Sequence, residues 1–224
     1  MKQTKRLLSL LLALAMVLTM AACGTVEPEK MTVRAALAGA PVTLDPARAV
    51  TETEKTVAAN LYENLMKPTL TGVANGQASS YVYTDNMDGT ETYTFTLRND
   101  IYWSDGKKVT AHDFVYAWQR LVDPATNSPH ASILNMVAGY ADAVAGDPAA
   151  LQVRATDDRT LEVTISGHCS YFLSVVCTAV STMPVRADAA GTAADETDSA
   201  DTQSTDAVEP QPQPDWSMDA ATLL

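Results

Sequence analysis

The amino-acid sequence predicts a small α+β domain in which helices pack on antiparallel strands. Two patterns support this prediction. Short aromatic and β-branched runs occur in pairs separated by turn residues, which is typical of β-hairpins. Other segments begin with a capping box and continue with apolar residues at helical spacing. Because both kinds of element have one apolar face, packing helices on a sheet buries these faces together.

The chain opens with a segment that is typical of a secretory signal. Three basic residues within the first six precede an apolar run from Leu7 to Ala22. This run is at or below the length that crosses a bilayer, and it ends in small residues directly before Cys23. We therefore expect residues 1–22 to be a signal peptide and residues 23–30 to be a linker.

The stretch Met20-Ala21-Ala22-Cys23 resembles the lipobox of bacterial lipoproteins, in which the cysteine becomes the lipidated first residue of the mature chain. The resemblance implies that Cys23 is a lipid anchor and that the protein is exported and held at the cell membrane, on its extracellular or periplasmic face. The alternative is an ordinary signal with a coincidental cysteine.

The formal net charge is −12 at pH 7, and removal of residues 1–22, with their three basic residues, would make it −15. A surface this acidic repels phosphate, which argues against nucleic acid as a partner. Adsorption to anionic lipid headgroups is disfavoured for the same reason, so membrane attachment must come from the lipid at Cys23.

The first two predicted elements precede the hairpins. Met31–Ala38 alternates in polarity and predicts a strand. Thr51-Glu52-Thr53-Glu54 matches a capping box and predicts a helix that continues to about Met66. Its apolar positions at helical spacing are Val57, Leu61 and Leu65.

Two hairpins are predicted, and their strands are Tyr81–Thr84, Thr92–Arg98, Leu151–Ala155 and Leu161–Ile165. Asp88-Gly89 supplies turn residues for the first hairpin, and Asp157-Asp158-Arg159 supplies those of the second.

Three further helices are predicted. Thr110-Ala111-His112-Asp113 is a second capping box, followed by an apolar face, and Asp123-Pro124 ends that helix. The other two helices cover Ala131–Ala145 and Tyr171–Ala179. The apolar face of the capped helix consists of Phe114, Val115, Trp118 and Leu121.

Cys169 and Cys177 remain in the chain after Cys23. If Tyr171–Ala179 is helical, two residues eight apart lie roughly 12 Å apart along the axis, which is beyond disulfide reach. We therefore expect both cysteines to be unpaired, buried, small apolar residues.

Three runs of residues carry a resemblance to a known family. They are Tyr93–Arg98, Trp103-Ser104-Asp105-Gly106 and Val109–Pro124. Together they closely resemble the oligopeptide-binding family of extracellular solute receptors, which corresponds to a periplasmic-binding-protein-like type II fold. The resemblance covers about residues 32–186. Further matching stretches are Thr43–Pro46, Leu61–Leu65, Asp158–Thr164 and Tyr171–Leu173.

Family members close two lobes on an extended peptide and grip it largely through main-chain hydrogen bonds. The resemblance therefore implies that the partners are oligopeptides and an ABC transporter permease. It places Val50, Thr51 and Glu52 where the family contacts the peptide backbone, and His130 where a family tyrosine can touch bound peptide. Glu52 could instead serve only to cap a helix, and His130 could be an exposed loop residue.

The resemblance also implies a longer receptor whose later lobe holds most of the ligand pocket. We accordingly expect a truncated chain in which residues 31–186 form a partial domain. Residues 187–224 contain nine acidic residues, no Lys or Arg and few large apolar side chains, so a disordered tail is predicted. A non-binding anchored module and an inactive fragment of such a receptor remain alternatives to peptide capture.

No pattern in the sequence indicates a catalyst. His112, His130 and His168 lack the spacing of a metal-ligand set. Ser104 lies in a Ser-Asp-Gly turn without the flanking glycines of a hydrolase elbow. The sequence therefore predicts a binding protein that needs no metal and no cofactor.

Overall fold

The computed structural model describes residues 35–189. The predicted signal peptide, the lipid-anchor position Cys23, the linker and nearly all of the predicted tail lie outside the described residues. Leu37 opens the compact unit whose architecture follows, and Ala35 and Ala36 belong to a separate preceding unit.

The unit contains four described α-helices and six described strands. The helices are α1 (Glu52–Leu61), α2 (Ala111–Val122), α3 (Tyr140–Val144) and α4 (Phe172–Val175). The strands are β1 (Met66–Thr69), β2 (Gly72–Asn75), β3 (Ala78–Asp85), β4 (Glu91–Leu97), β5 (Val153–Asp157) and β6 (Thr160–Ile165). Short 3-10 helices cover Pro124–Thr126, Ala131–Leu134, Pro148–Ala150, Val176–Thr178 and Val180–Thr182.

The main sheet has four strands in the order β3-β4-β6-β5, and every neighbouring pair is antiparallel. Both predicted hairpins are confirmed, with Tyr83 opposite Tyr93 in the first and Val153 opposite Val163 in the second. Along β4 and β6, buried residues alternate with half-buried ones. One face of the sheet therefore builds the core, and the other is lined mainly by threonine.

Helix α2 lies against the core face of this sheet, and its prediction is confirmed. The carboxylate of Asp113 accepts a hydrogen bond from the N–H of Thr110 at 2.8 Å, as in a capping box. Trp118 is fully buried, its ring packs edge-on against Phe172, and its indole N–H donates to the carbonyl of Thr182 at 2.9 Å. Burying a large aromatic side chain of this kind contributes roughly 2–3 kcal/mol.

Helix α1 ends at Leu61, so the prediction that it continues to Met66 is wrong. Tyr62 is already extended, with φ −119° and ψ 159°. The carbonyl of Leu65 accepts hydrogen bonds from Gly76 and Ala78, and the amide of Asn64 donates to the carbonyl of Ala179 at 2.7 Å. Because these tertiary contacts use extended backbone, they override the helical spacing of the apolar residues.

The buried face of α1 also differs from the prediction. It consists of Thr53, Glu54 and Ala58, whereas Leu61 is 59% exposed. Leu65 reaches the core from the extended segment instead of from the helix. The sequence analysis did not predict the β1–β2 hairpin, in which Met66 pairs with Asn75, because its strands have only four residues each.

The predicted helix Ala131–Ala145 is wrong, because two short helices replace it. Gly139 separates them with φ +80°, and a Cβ there would lie 1.9 Å from the carbonyl oxygen of Ala150. Ahead of it, Val137 bridges to Ile165, and Ala138 donates to the carbonyl of Thr164. The chain at 137–138 thus lies along β6 and must leave the helical conformation.

Two other predictions are corrected at the ends of the unit. Residues 35–38 are exposed and not in a strand, so that part of the predicted strand Met31–Ala38 is wrong; the other residues lie outside the description. A strand requires a hydrogen-bonded neighbour, and none pairs with 35–38 among the described residues. The predicted helix Tyr171–Ala179 is a single turn, α4, that tightens into a 3-10 turn.

The burial of both remaining cysteines is confirmed. Cys169 and Cys177 are free thiols with 6% and 0% exposure. Burial raises the pKa of the Cys177 thiol well above its ordinary value. Both therefore act as small apolar groups of the core.

Candidate functional site

The structure brings the four residues of the predicted ligand site into one region. Val50, Thr51 and Glu52 lead into helix α1, and His130 lies next to them although it is some 80 positions later in the chain. The Nε2 of His130 lies 2.8 Å from the carbonyl oxygen of Ala49. Since a carbonyl oxygen only accepts, this ring nitrogen carries the proton. We call these four residues the 50/130 surface.

The loop that carries Val50 is fixed to the core by an ion pair. The carboxylate of Asp45 accepts two hydrogen bonds from the guanidinium of Arg120, at 3.0 and 2.7 Å. Asp45 is 2% exposed, and its second role is to accept the N–H of Ala47 at 3.0 Å. Burial alone would lower the pKa of Arg120, but the hydrogen bonds and charge of Asp45 raise it above its ordinary value. Arg120 therefore stays charged, and its two hydrogen bonds to Asp45 tie the loop to α2.

A second set of bonds joins the loop to the segment that follows α2. Ser128 donates its hydroxyl to the carbonyl of Ala47 at 2.5 Å, and Arg48 donates its Nε to the carbonyl of Thr126 at 3.3 Å. His130 adds the bond to Ala49 described above. The Asp-Pro and Ser-Pro turns of this segment thus position His130 and hold the loop together.

Glu54 fixes the end of the loop from inside helix α1. Its carboxylate accepts three main-chain N–H groups, from Val42 at 3.2 Å and from Val50 and Thr51 at 2.8 Å each. Burial by itself would raise the pKa of Glu54, but the hydrogen bonds from Thr51, Val50 and Val42 outweigh it and lower the pKa below the ordinary value. The carboxylate is therefore charged at neutral pH and closes the loop.

The capping role belongs to Thr51 and Glu54, not to Glu52. The hydroxyl of Thr51 accepts the N–H of Glu54 at 3.2 Å, which completes the capping box. The side chain of Glu52 is 91% exposed, and Lys55 is its ion-pair neighbour at 3.7 Å. The structure thus leaves the Glu52 carboxylate at the surface, accessible to a ligand.

The 50/130 surface offers both main-chain carbonyl acceptors and main-chain N–H donors. The carbonyl of Ala49 is taken by His130 and that of Thr51 by Lys55, but within residues 35–189 no group donates to the carbonyl of Val50. The N–H groups of Glu52 and Thr53 lie in the first turn of α1, where no intrahelical acceptor exists. Val50 itself is 57% exposed. This arrangement suits hydrogen bonding with an extended main chain.

The residues that position this surface were not predicted from the sequence. Asp45 and Arg120 appeared there only as parts of matching runs, and Glu54 only as part of a capping box. The signal that could have found Asp45 and Arg120 was chemical, because a carboxylate before a proline and an arginine next to the apolar face of a helix each need a partner when buried. Sequence alone did not pair them across 75 positions.

A cleft of about 690 Å³ lies elsewhere, and none of the predicted site residues lines it. Trp103 and Tyr62 meet edge to face in it, and the guanidinium of Arg186 lies over the Trp103 ring. Gly106, at φ +85°, makes the Ser-Asp-Gly turn beside it, as predicted.

Residues 35–189 contain no group of three or more His, Cys, Asp or Glu side chains arranged to hold a metal ion. None of the helices in that part of the chain is long and apolar enough to cross a membrane.

Comparisons with known proteins agree with the predicted resemblance. The family model for bacterial extracellular solute-binding proteins, family 5 (middle region), matches residues 72–208. The periplasmic oligopeptide-binding protein OppA of Escherichia coli K12 is 44% identical over 138 residues, which are 59% of this chain and 25% of that protein. The probable deoxycholate-binding periplasmic protein YgiS of the same organism is 39% identical over 140 residues, covering 61% of this chain and 26% of that protein.

Solved structures are similar over the same part of the chain. The crystal structure of Haemophilus influenzae OppA in complex with the peptide RPPGFSPFR has a TM-score of 0.61 and 39% identity. The match covers 67% of this chain and 29% of that one. The chain thus spans about a quarter of the length of the curated relatives it matches.

Glu54→Gln should destabilise the domain by about 1–2 kcal/mol at pH 7, because it removes a charge-assisted acceptor for three N–H groups. Since the pKa of Glu54 is lowered on folding, its contribution is fully present above the ordinary glutamate pKa. It is lost as the pH falls through the lower pKa of the folded state. Urea unfolding of the wild-type and Glu54→Gln chains between neutral pH and pH 3 measures the difference in their free energies of unfolding.

Glu52→Gln is the matched control, since it makes the same change in the same turn at an exposed carboxylate. It should change the unfolding free energy by less than about 0.5 kcal/mol. Equal effects of the two variants, or a Glu54→Gln effect that grows towards low pH, would contradict the role of Glu54.

Proposed function

Because the chain belongs to the family 5 bacterial extracellular solute-binding proteins, we propose that it captures extracellular oligopeptides for import by a peptide ABC transporter. The observation that supports this most directly is the hydrogen bond from His130 to the carbonyl of Ala49. It joins two distant segments that the resemblance assigns, independently, to peptide contact. We propose that the protein acts by binding and that it catalyses no reaction.

In this proposal the 50/130 surface contacts the main chain of the peptide. The carbonyl of Val50 accepts a peptide N–H, and the free N–H groups at the start of α1 donate to a peptide carbonyl. Glu52 attracts the amino terminus or a basic side chain of the ligand, and His130 packs beside the peptide. Main-chain contacts of this kind tolerate many side chains, which fits a receptor for varied peptides.

The relatives' names support a peptide ligand but not uniformly. OppA of E. coli is an oligopeptide-binding protein, whereas YgiS is a probable deoxycholate-binding protein. Main-chain groups exposed at the 50/130 surface favour a peptide, because a steroid offers few groups for them to pair with. A surface on one lobe buries less of a ligand than a closed cleft, so the 50/130 surface by itself binds a peptide weakly. A non-binding anchored module and an inactive fragment are the competing functions.

We further propose that Cys23 carries the lipid that holds the protein at the membrane and that residues 1–22 are removed. The motif around Cys23 and the periplasmic relatives support an exported location. Cys23→Ser should abolish labelling by a radioactive fatty acid in a bacterial host and move the protein from the membrane fraction to the soluble one. Labelling that persists in the variant would contradict an anchor at Cys23.

Peptide capture predicts that a pool of di- to pentapeptides raises the melting temperature of the chain produced from residue 24, because a ligand of the folded state stabilises it. Val50→Glu should abolish the increase, since it places a carboxylate where the peptide main chain would lie. The control is Val175→Glu, a similarly exposed valine away from the 50/130 surface, which should leave the increase unchanged. Differential scanning calorimetry of all three chains measures these effects.

Other results of the melting experiment would favour a function other than peptide capture or a different binding surface. A cooperative melt that no peptide shifts would favour a non-binding module. A chain without a cooperative melt would favour an inactive fragment. A peptide-induced increase that survives Val50→Glu would place the binding surface elsewhere.

A further inference from the structure

Strand β3 forms one edge of the main sheet and is unusually open. Seven of its eight residues are exposed, and β4 is its only ladder partner among the described strands. Edge strands are usually protected from pairing by lysine, by proline, by bulges or by covering segments. β3 has a bulge at its start, between Ala78 and Ser80, but its stretch from Tyr81 to Asp85 pairs regularly with β4 and contains no lysine, arginine or proline.

The hydrogen-bond pattern shows which main-chain groups of β3 point outward. Asn86 donates its N–H to the carbonyl of Thr90, which lies directly opposite in the β3–β4 register. Bonded pairs alternate along an antiparallel ladder, so Thr84 and Val82 direct their main-chain groups towards β4. Tyr81 and Tyr83 then direct theirs away from the sheet, where no described strand accepts them.

The central side chains of this edge are aromatic or β-branched, and its two tyrosine rings contact neighbouring rings. The Tyr81 ring lies 5.9 Å from that of Phe95, and Tyr83 lies 5.4 Å from Tyr93. The Tyr83 hydroxyl donates to Glu91 at 2.7 Å, which raises the pKa of Tyr83 to about 12. On the opposite face, Val82 is 61% exposed. An edge whose side chains are already ordered loses little conformational entropy when another strand pairs with it.

We propose that two copies of this chain associate by antiparallel pairing of their β3 strands about a twofold axis at Val82. In this register, Val82 lies opposite Val82 of the second copy, Tyr81 opposite Tyr83 and Ser80 opposite Thr84. Tyr81 and Tyr83 are the residues whose main-chain groups point outward, so the two Tyr81–Tyr83 pairs form four new hydrogen bonds. The result is a continuous sheet of eight strands, four from each copy.

The charges of β3 permit pairing with a second copy. Asp85, its one charged residue, lies at the end of the paired stretch and far from Asp85 of the other copy, so no like charges meet. Aromatic and β-branched cross-strand pairs are among those that stabilise a sheet most. The two acidic molecules repel each other at long range, but at physiological salt this repulsion is screened within about 8 Å. Such an isologous contact closes as a dimer and leaves no further β3 edge exposed.

Sedimentation equilibrium of the chain from residue 24, over a wide concentration range at physiological salt, tests the proposal. The described unit begins at Leu37, so this start leaves it intact. The wild-type chain should show a monomer–dimer equilibrium. Val82→Lys should weaken association at least about tenfold, because two lysines would then lie directly opposite each other. Val42→Lys, the same change at an 83% exposed valine outside β3, should change it less than about twofold.

A charge swap tests the register itself. Equal amounts of Val82→Lys and Val82→Glu, each predominantly monomeric, should form a mixed dimer because opposite charges then face each other. Thermal melts of the separate variants check that each remains folded.

Three outcomes would overturn the proposal. One is a wild-type chain that stays monomeric at the highest concentration. Another is a dimer that Val82→Lys leaves intact. The third is a monomeric chain whose Tyr81 and Tyr83 amide NMR resonances shift only when an unrelated extended peptide is added. In that case β3 pairs with a strand from another molecule and not with a second copy of this chain.

Discussion

The ion pair between Asp45 and Arg120 determines where the candidate peptide-binding residues lie. Asp45 stands at the start of the loop that leads to Val50, and Arg120 is part of α2, the helix packed on the core face of the sheet. Removing one partner of a buried ion pair costs about 3–5 kcal/mol. The position of the loop is therefore tied to the position of the core.

Other contacts of α2 join further segments of the chain to the same helix. Trp118, two residues before Arg120, holds the carbonyl of Thr182, and Thr182 in turn accepts from the amide of Asn64. The segments that precede β1 and that follow α4 thus meet at this helix. The loop is bonded to this helix, the turn that bears His130 follows it, and Glu54 joins the start of α1 to the loop, so the 50/130 surface is preorganised. Preorganisation of this kind reduces the entropy lost on binding a flexible peptide.

The sequence was informative wherever structure depends on neighbouring residues. The two hairpins and α2 follow from alternating polarity, turn residues and a capping box, all within a few positions, and the family resemblance located the four residues of the 50/130 surface. Local signals failed where distant contacts decide the backbone. Leu65 has helical spacing, but its carbonyl pairs with Gly76 and Ala78 and so ends α1 early. Gly139 lies inside an apolar run that predicts a helix, but the approach of Ala150 and the pairing of 137–138 with β6 break it.

The positioning residues were beyond sequence reasoning for the same physical reason. Asp45 and Arg120 are 75 positions apart, and nothing local to either indicates its partner. Glu54 was identified as a capping residue, but its bonds to Val42 and Val50 depend on how the loop folds back. The geometry therefore separates the residues that could touch a ligand from those that hold them, and the second group lies deeper in the domain.

Hydrogen exchange of an Asp45→Asn chain, followed by mass spectrometry, tests the dependence of the loop on this ion pair most directly. The isosteric change removes the charge and keeps the shape. Exchange should accelerate in residues 43–51 and in the turn around Ser128–His130, while α2 and the four-stranded sheet remain protected. Unchanged exchange in the loop, or a loss of protection that is uniform across the domain, would contradict the account.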